Sequence, residues 1–225
     1  MKIEINGRSR VIVENVQPQV DGGRYPAKRV VGERVHVTAE IFGDGHDHIR
    51  AEILFRKRGE LSWQTVEMTA VGNDAWKASF VVTERLTYMF TVQAWIDHFE
   101  TWYDGFKKKA AAKIDVKVEL LEGGALLRKL ADGKNKELLR LAEKLENGNA
   151  YAENVKLVLS EEFAEIVHQN PLREFETRYD EELFVEVEFQ KALFSSWYEL
   201  FPRSASLEGK HGTFQDVIRL LPRIS

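Results

Sequence analysis

The 225-residue sequence contains no cysteine. Disulfides, thiolate metal sites and cysteine nucleophiles are therefore excluded, and a reducing compartment is compatible with the composition. No apolar run approaches the roughly 20 residues of a membrane-spanning helix. The start, MKIEINGRSR, is charged and lacks the apolar centre of a signal peptide. Charge of one sign is lacking too: the formal net charge is −4 and acids are interspersed with bases, which argues against a nucleic-acid surface. The expectation is a soluble, cytoplasmic protein with no cofactor and with neither a membrane nor nucleic acid as partner. What is present is material for a core. Hydrophobic residues make up 44% and charged residues 30%, enough for one large domain or two small ones.

The first hundred residues read as short strands. Arg10 to Val16 alternates until Pro18 and reads as an edge strand. Asp21-Gly22-Gly23 is a turn, and Arg24 to Lys28 is extended. After Gly32, Val35, Val37, Ala39 and Ile41 point one way and His36, Thr38 and Glu40 the other. Phe42 to Asp47 is a loop, and Ile49 to Lys57 the next strand. Trp63 to Met68 is expected to pair with Trp76 to Val82 across the Gly72-Asn73-Asp74 turn. Tyr88 to Ile96 is the longest strand, and Glu100 to Phe106 is expected to pair back on it after a turn at Asp97-His98. About seven strands at this spacing predict an antiparallel sandwich. Without a Cys–Trp–Cys pattern, an antibody-type domain is not implied, and a fibronectin-like or carbohydrate-module-like sandwich fits better.

After Gly105 the apolar period lengthens to about 3.6. Ala110, Ile114, Val118 and Leu121 begin a helical stripe that Gly123-Gly124 is expected to break or bend. Asp132-Gly133 ends that piece. Leu138 to Leu145 forms a second helix stopped by Asn147-Gly148-Asn149, and Ala150 to Leu159 a third. Ser160 caps a fourth carrying Phe163, Ile166 and Val167, and Asn170-Pro171 closes the block. The strand signal then returns, with Leu183, Val185 and Val187 alternating with glutamates. Two readings stand: a sandwich with a helical insertion, or a helical linker between two unrelated domains. The first is the more economical.

Phe194 to Phe201 reads as a buried strand, followed by a loop with Pro202, Arg203 and Ser204 and a helix from Thr213 to Leu221. A strand and a helix are half of a β/α unit, and a parallel strand needs a neighbour. The expectation is that the sequence is the front of a longer protein.

The pieces GRSRVIVENVQPQVDGGRYPAKRVVGE, GNDAWKASF, YMFTVQAWIDHFETW and KKKAAAKIDVKVELLEGGALL, and above all SSWYELFPRSAS and KHGTFQDVIRLLP, resemble the front of the bacterial α-1,4-glucan:maltose-1-phosphate maltosyltransferases. The resemblance runs from Gly7 to Pro222. It implies an immunoglobulin/fibronectin-like β-sandwich over residues 1–106 and about 172–190, a helical insertion over 107–171, and over 191–225 the first β/α unit of a (β/α)8 barrel, which needs eight. It implies a homodimer and a retaining transfer of maltosyl from maltose 1-phosphate to an α-1,4-glucan, in glycogen or α-glucan synthesis. Retention requires two carboxyl groups about 5 Å apart. In the family these lie on later strands, so no catalytic residue is expected in this sequence, whose part would be dimerisation and scaffolding. The alternatives are a free-standing glucan-binding module and a purely structural interaction protein.

Several residues are candidates for sites. Arg203 and Ser204 would follow a barrel strand at the end where barrel active sites are built, and could touch a sugar or phosphate. His211 precedes a helix start, where free N–H groups can receive an anion; an ordinary cap by Thr213 is the plainer reading. Trp95, Trp102 and Tyr103 form a possible glucan platform, against the plainer reading that their rings are buried. His36, His46, Asp47 and His48, with Asp44 nearby, show no third ligand at a recognised spacing, so no metal site is assigned. Lys107-Lys108-Lys109 reads as a solvated helix start.

Overall fold

A computed structural model describes residues 8–194 and 196–224. Residues 1–7 of the expected first domain, Ser195 of the expected strand and Ser225 lie outside the described residues. Ten strands form two sheets among the described residues. The first has the order β1 (Val11–Gln17), β3 (Arg34–Gly43), β7 (Ala75–Val81), β6 (Thr69–Gly72), all antiparallel. The second has the order β2 (Ala27–Val30), β10 (Leu183–Glu188), β8 (Thr87–Ile96), β4 (Ile49–Lys57), β5 (Gln64–Glu67), with the short β9 (Thr177–Arg178) also beside β8. One pair, β2 with β10, is parallel, so the expectation of an entirely antiparallel arrangement is corrected there.

Alternation places one face of each sheet in a single core. Val35, Val37, Ala39 and Ile41 of β3 meet Ala51 and Ile53 of β4, Phe90, Val92 and Ala94 of β8, and Val185 and Val187 of β10. Phe55 of β4 stacks on Phe80 of β7 at 4.4 Å across the two sheets. Burying each such large side chain contributes about 1.5–3 kcal/mol before chain entropy is charged.

The expected hairpin of Trp63–Met68 with Trp76–Val82 is not what forms. Gln64 to Glu67 pairs with β4 in the second sheet, and Thr69 to Gly72 pairs with β7 in the first. Met68 lies buried between them, its N–H bonded to Ala51 O at 2.8 Å, and there the chain changes sheets. Alternation within so short a run does not show which sheet it joins.

A second correction concerns residues 98–111. The segment expected to pair back as a strand is the helix α1 (His98–Ala111). The Asp97 carboxylate accepts from the N–H groups of Phe99 and Glu100 at 3.1 Å each and starts the helix. Phe99, Trp102, Tyr103 and Phe106, spaced i, i+3, i+4, i+7, are all buried. Lys108 and Lys109 therefore occupy the last turn of a helix, where their charge opposes the helix dipole favourably, and not its start.

Helices α2 (Lys117–Ala131), α3 (Lys136–Glu146), α4 (Tyr151–Val158) and α5 (Glu161–Gln169) complete a second core around Phe99, Trp102, Leu120, Leu127, Leu145 and Phe163. The expected apolar stripe is not the buried one: Ala110 packs against the second core, but Ile114, Val118 and Leu121 are more than half exposed, while Leu120 and Leu127 are buried. Gly123 and Gly124 neither break nor bend α2 into two helices. They are buried contact points, because a Cβ on Gly123 would lie 2.2 Å from Trp102 and one on Gly124 would lie 2.7 Å from Glu146. Asp132 ends α2 and Ser160 begins α5 where the sequence indicates, and Asn135, whose side chain accepts from the N–H groups of Glu137 and Leu138, caps α3. The helical block lies between β8 and β10 in the chain, yet those two strands are ladder neighbours.

Beyond β10 the expected strand Phe194–Phe201 has no ladder partner among the described residues. A strand without a neighbour leaves its backbone groups unpaired, and residues 196–201 instead run irregularly up to the 3₁₀ turn Pro202–Ser204, a second such turn, Gln190–Leu193, lying before Phe194. The expected helix does form, as α6 (Phe214–Ile224).

Candidate functional site

The candidate site is the surface of residues 189–194 and 196–224. Pro202 to Ser204 makes one 3₁₀ turn, and the N–H of Gly212 donates to Arg203 O at 2.8 Å. That bond folds the His211 neighbourhood back onto Arg203 and Ser204. Gly212 permits it, since a Cβ there would lie 2.3 Å from Pro202 O. Arg203, Ser204 and His211 are thus brought together on one exposed loop. The Arg203 guanidinium and the His211 ring have no ion pair among the described residues. Thr213 is held as a cap by Asp216, whose carboxylate accepts from the Thr213 N–H at 2.7 Å and its hydroxyl at 2.8 Å. Those bonds, the backbone one foremost, hold the Asp216 carboxyl below the usual carboxylate range.

Around this loop the apolar side chains are uncovered. Trp197 is 92% exposed and Phe194 80%, and Tyr198, Phe201, Phe214, Ile218 and Leu221 are each exposed by half or more. Scattered exposed apolar residues are ordinary, but a series of large ones in one terminal stretch marks a surface made to be covered. The stretch adjoins a cleft of about 710 Å³ at one end of the sheets, whose lining includes Val31, Arg85, Phe189 and Lys191. Arg85 lies over the Phe189 ring at 4.7 Å and pairs with Glu188 at 3.0 Å.

The rings expected as a glucan platform are placed elsewhere. Trp95, Trp102 and Tyr103 are 2%, 9% and 5% exposed. The Arg173 guanidinium covers Trp95 at 4.3 Å. Trp102 stacks on Phe99 and donates its indole N–H to Glu119 O at 2.8 Å. Trp95 on β8 is closed to a sugar by Arg173, and Trp102 and Tyr103 are closed because α1 packs its apolar face into the second core. The histidine loop is likewise engaged: Arg10 pairs with Asp44 at 2.7 Å and Asp47 at 3.2 Å, and His48 approaches Asp104 at 3.4 Å. His36 stands exposed on β3. No group of three or more His, Asp or Glu among the described residues is gathered to hold a metal ion. Among the same residues, no helix is long and apolar enough to cross a membrane.

Sequence reasoning missed a polar joint between the second sheet and the helical block. Glu52, buried on β4, accepts two bonds from Arg173, at 2.6 and 3.0 Å, and one from Gln93 at 2.5 Å. Burial works against the Arg173 cation, but Glu52 and the neighbouring carboxylates hold its pKa above the ordinary guanidinium value. Beside it Arg50 bonds His168 O at 2.9 Å and stands 3.7 Å from the fully buried Asp97. The available signal was the pair of opposite charges, Arg50 and Glu52, within the apolar first half of the strand.

Comparison with known proteins follows the same outline. Residues 9–188 match the family model described as alpha-1,4-glucan:maltose-1-phosphate maltosyltransferase, domain N/S. The maltosyltransferase of Chlorobaculum tepidum is 45% identical over 225 residues, covering 98% of the chain and 33% of that relative. The relative from Methylacidiphilum infernorum is 37% identical, with 99% and 34% covered, and that from Myxococcus xanthus 38% identical, with 95% and 34% covered. The chain spans about a third of the length of the curated relatives it matches.

Proposed function

The chain belongs to the maltosyltransferase N/S-domain family, and on that premise we propose that it is the front part of an enzyme moving maltosyl from maltose 1-phosphate to an α-1,4-glucan. Its two sheets constitute an immunoglobulin/fibronectin-like sandwich, and the helices between Asp97 and Pro171 an insertion in it. Residues 191–225 supply the first β/α unit of a catalytic barrel, whose neighbouring strand would complete the ladder that 194–201 lacks. The catalytic carboxylate pair lies on later units, and this part serves scaffolding and homodimerisation in a cytoplasmic enzyme. Arg203, Ser204 and His211 face the barrel's substrate side, where a guanidinium and a hydroxyl suit a phosphate or sugar.

The observation that supports this most is the uncovered apolar series from Phe194 to Leu221 on a chain a third as long as its relatives. A free-standing glucan-binding module would need an exposed aromatic row, and the row nominated for it is buried. The test is a phosphate-release assay with maltose 1-phosphate and maltoheptaose. A polypeptide extended to the relatives' length turns over, and the 225-residue chain does not. Turnover by the short chain, or none by the long one, overturns the proposal.

A further inference from the structure

A second cleft, of about 430 Å³, lies at the end of the first sheet, away from residues 189–224. It follows from strand pairing. β3 and β7 are partners, so the loop that leaves β3 and the turn that enters β7 meet at one end, where the Ile41 N–H donates to Asp74 O at 2.8 Å. The loop brings His46, Asp47 and His48, and the turn brings Asn73 and Asp74. Both turn residues have left-handed backbones, φ 50° and 60°, as a tight two-residue hairpin demands. Trp76 completes the cleft, half-buried, with its indole N–H donated to Ile41 O at 3.1 Å.

Two observations narrow the ligand. First, the other tryptophans of the folded cores have a face occupied: Trp63 by Arg56 and Arg178 at 4.0 and 4.7 Å, Trp95 by Arg173, Trp102 by Phe99. No ring or cation among the described residues is stacked on Trp76. Second, the charges of the loop are already matched. Arg10 neutralises Asp44 and Asp47, and His48 stands against Asp104. The cleft therefore has no surplus cation for a phosphate and no ligand set for a metal. Its lining combines the apolar surface of Trp76 and Ile49 with the polar groups of His46, Asn73 and Asp74. A lining that joins an uncovered indole to several hydrogen-bonding groups, in a volume of this size, fits a small uncharged ligand with one apolar face and several hydroxyls.

We propose that this cleft is a neutral-oligosaccharide subsite, with a pyranose ring lying against Trp76 and its hydroxyls bonded by Asn73, Asp74 and His46. The choice of α-1,4-glucan as the oligosaccharide rests on the function proposed above. The site anchors a glucan to the enzyme at a distance from the reaction.

The test titrates the whole 225-residue chain with maltoheptaose and follows its indole and backbone N–H signals by NMR. At ~10 mM sugar, a site with a Kd of ~1 mM is about nine-tenths filled. The expected result is a saturable shift of the Trp76 indole signal, identified by its loss in Trp76→Phe, together with the amides of Asn73, Asp74 and His46. Trp76→Phe and, independently, the exposed-loop variant His46→Ala weaken binding at least about fivefold, or ~1 kcal/mol. The loop variant keeps the test decisive if Trp76→Phe fails to fold. No saturable shift, or one centred on Trp197 with Trp76 unmoved, overturns the subsite. Failure here with transferase activity intact in the longer polypeptide sinks the subsite alone. Absence of that activity with Trp76 shifts present sinks the proposed function alone.

Discussion

Replacing Gly123 by alanine tests how the helical block is packed. In an isolated helix the change is favourable by about 1 kcal/mol, because alanine loses less backbone entropy than glycine. Here the added Cβ would lie 2.2, 2.6 and 2.9 Å from three carbons of the Trp102 ring. Carbon atoms rest about 3.5–4.0 Å apart, so ring and helix must separate by ~1.3 Å or more. The ring has little room to yield, being stacked on Phe99 at 5.7 Å, close to Phe106 and Phe163, and tied through its N–H to Glu119 O. Overpacking of this kind costs about 1–3 kcal/mol, and the poor freedom of the ring places it at the upper end. Subtracting the propensity gain leaves a net loss of ~2 kcal/mol, which for a chain of this size lowers Tm by about 4–8 °C. Gly105→Ala, in α1, is the matched control, since a Cβ there meets nothing within 4 Å. It should stabilise by ~0.5–1 kcal/mol. Thermal and urea unfolding of the two variants should therefore move in opposite directions. A Gly123→Ala protein as stable as the original would refute the close approach of α2 to Trp102.

Three further outcomes are expected. Arg173→Met leaves the buried Glu52 carboxylate with only its Gln93 bond, and urea unfolding should show a loss of ~2–3 kcal/mol, below the cost for a fully buried pair because Arg173 is 42% exposed; a cycle with Glu52→Gln that shows no coupling would contradict this. Glu146, Glu119 and Asp104 have their carboxyl pKa values lowered first of all by bonds from Arg128, Lys109 and Lys108. Their contribution is therefore present above the unfolded carboxylate values near pH 4 and is lost as pH falls through the lower folded values, so the urea midpoint should drop between about pH 5 and pH 3 and drop less in Glu146→Gln. Ending the chain after Glu188 retains β10 and both cores while removing the exposed Trp197, Phe194 and Phe201. That shortened chain should keep its Tm within about 2 °C and bind less of an apolar dye such as ANS, whereas loss of the folding transition would show that residues 189–225 support the cores.

Legibility in the sequence followed how much each element depends on its own residues. Val35 to Ile41 and Leu183 to Val187 alternate cleanly because each buries one face, and both are strands as expected. The cap at Ser160 depends on a side chain and the next turn alone, and it was visible. The sheet change at Met68 was not, since partner choice depends on strands far along the chain. Phe99 to Phe106 was open to misreading because β-prone aromatics at helical spacing support either structure. There Asp97 decided, by capping. Gly123-Gly124 reads locally as a breaker, and only Trp102 and Glu146 from other helices give the pair its packing role. In the candidate site, Arg203, Ser204 and His211 were visible as types, whereas the bond from Gly212 that brings them together was not.

The same tertiary logic explains how helices can interrupt a sheet without disrupting it. An inserted block must leave and return at nearly the same place, or the strands on either side cannot remain neighbours. Asp97 provides that place. Its Oδ1 accepts from Phe99 and Glu100 at the entry of the block and from the Leu172 N–H, at 3.4 Å, at its exit, while its own N–H donates to His48 O of the sheet's edge loop. Its other oxygen has no hydrogen bond and stands 3.7 Å from Arg50, whose guanidinium also holds His168 O at the end of α5. One fully buried carboxylate and one arginine thus join the residue that enters the helices to the segment that leaves them. Removing a carboxylate that caps a helix costs about 1 kcal/mol when the helix alone is concerned. Here the same group also closes a loop of some seventy residues, so its loss frees the entry and the exit together, and the helical block is held to the sheets as a unit through this joint and the neighbouring Glu52–Arg173 pair.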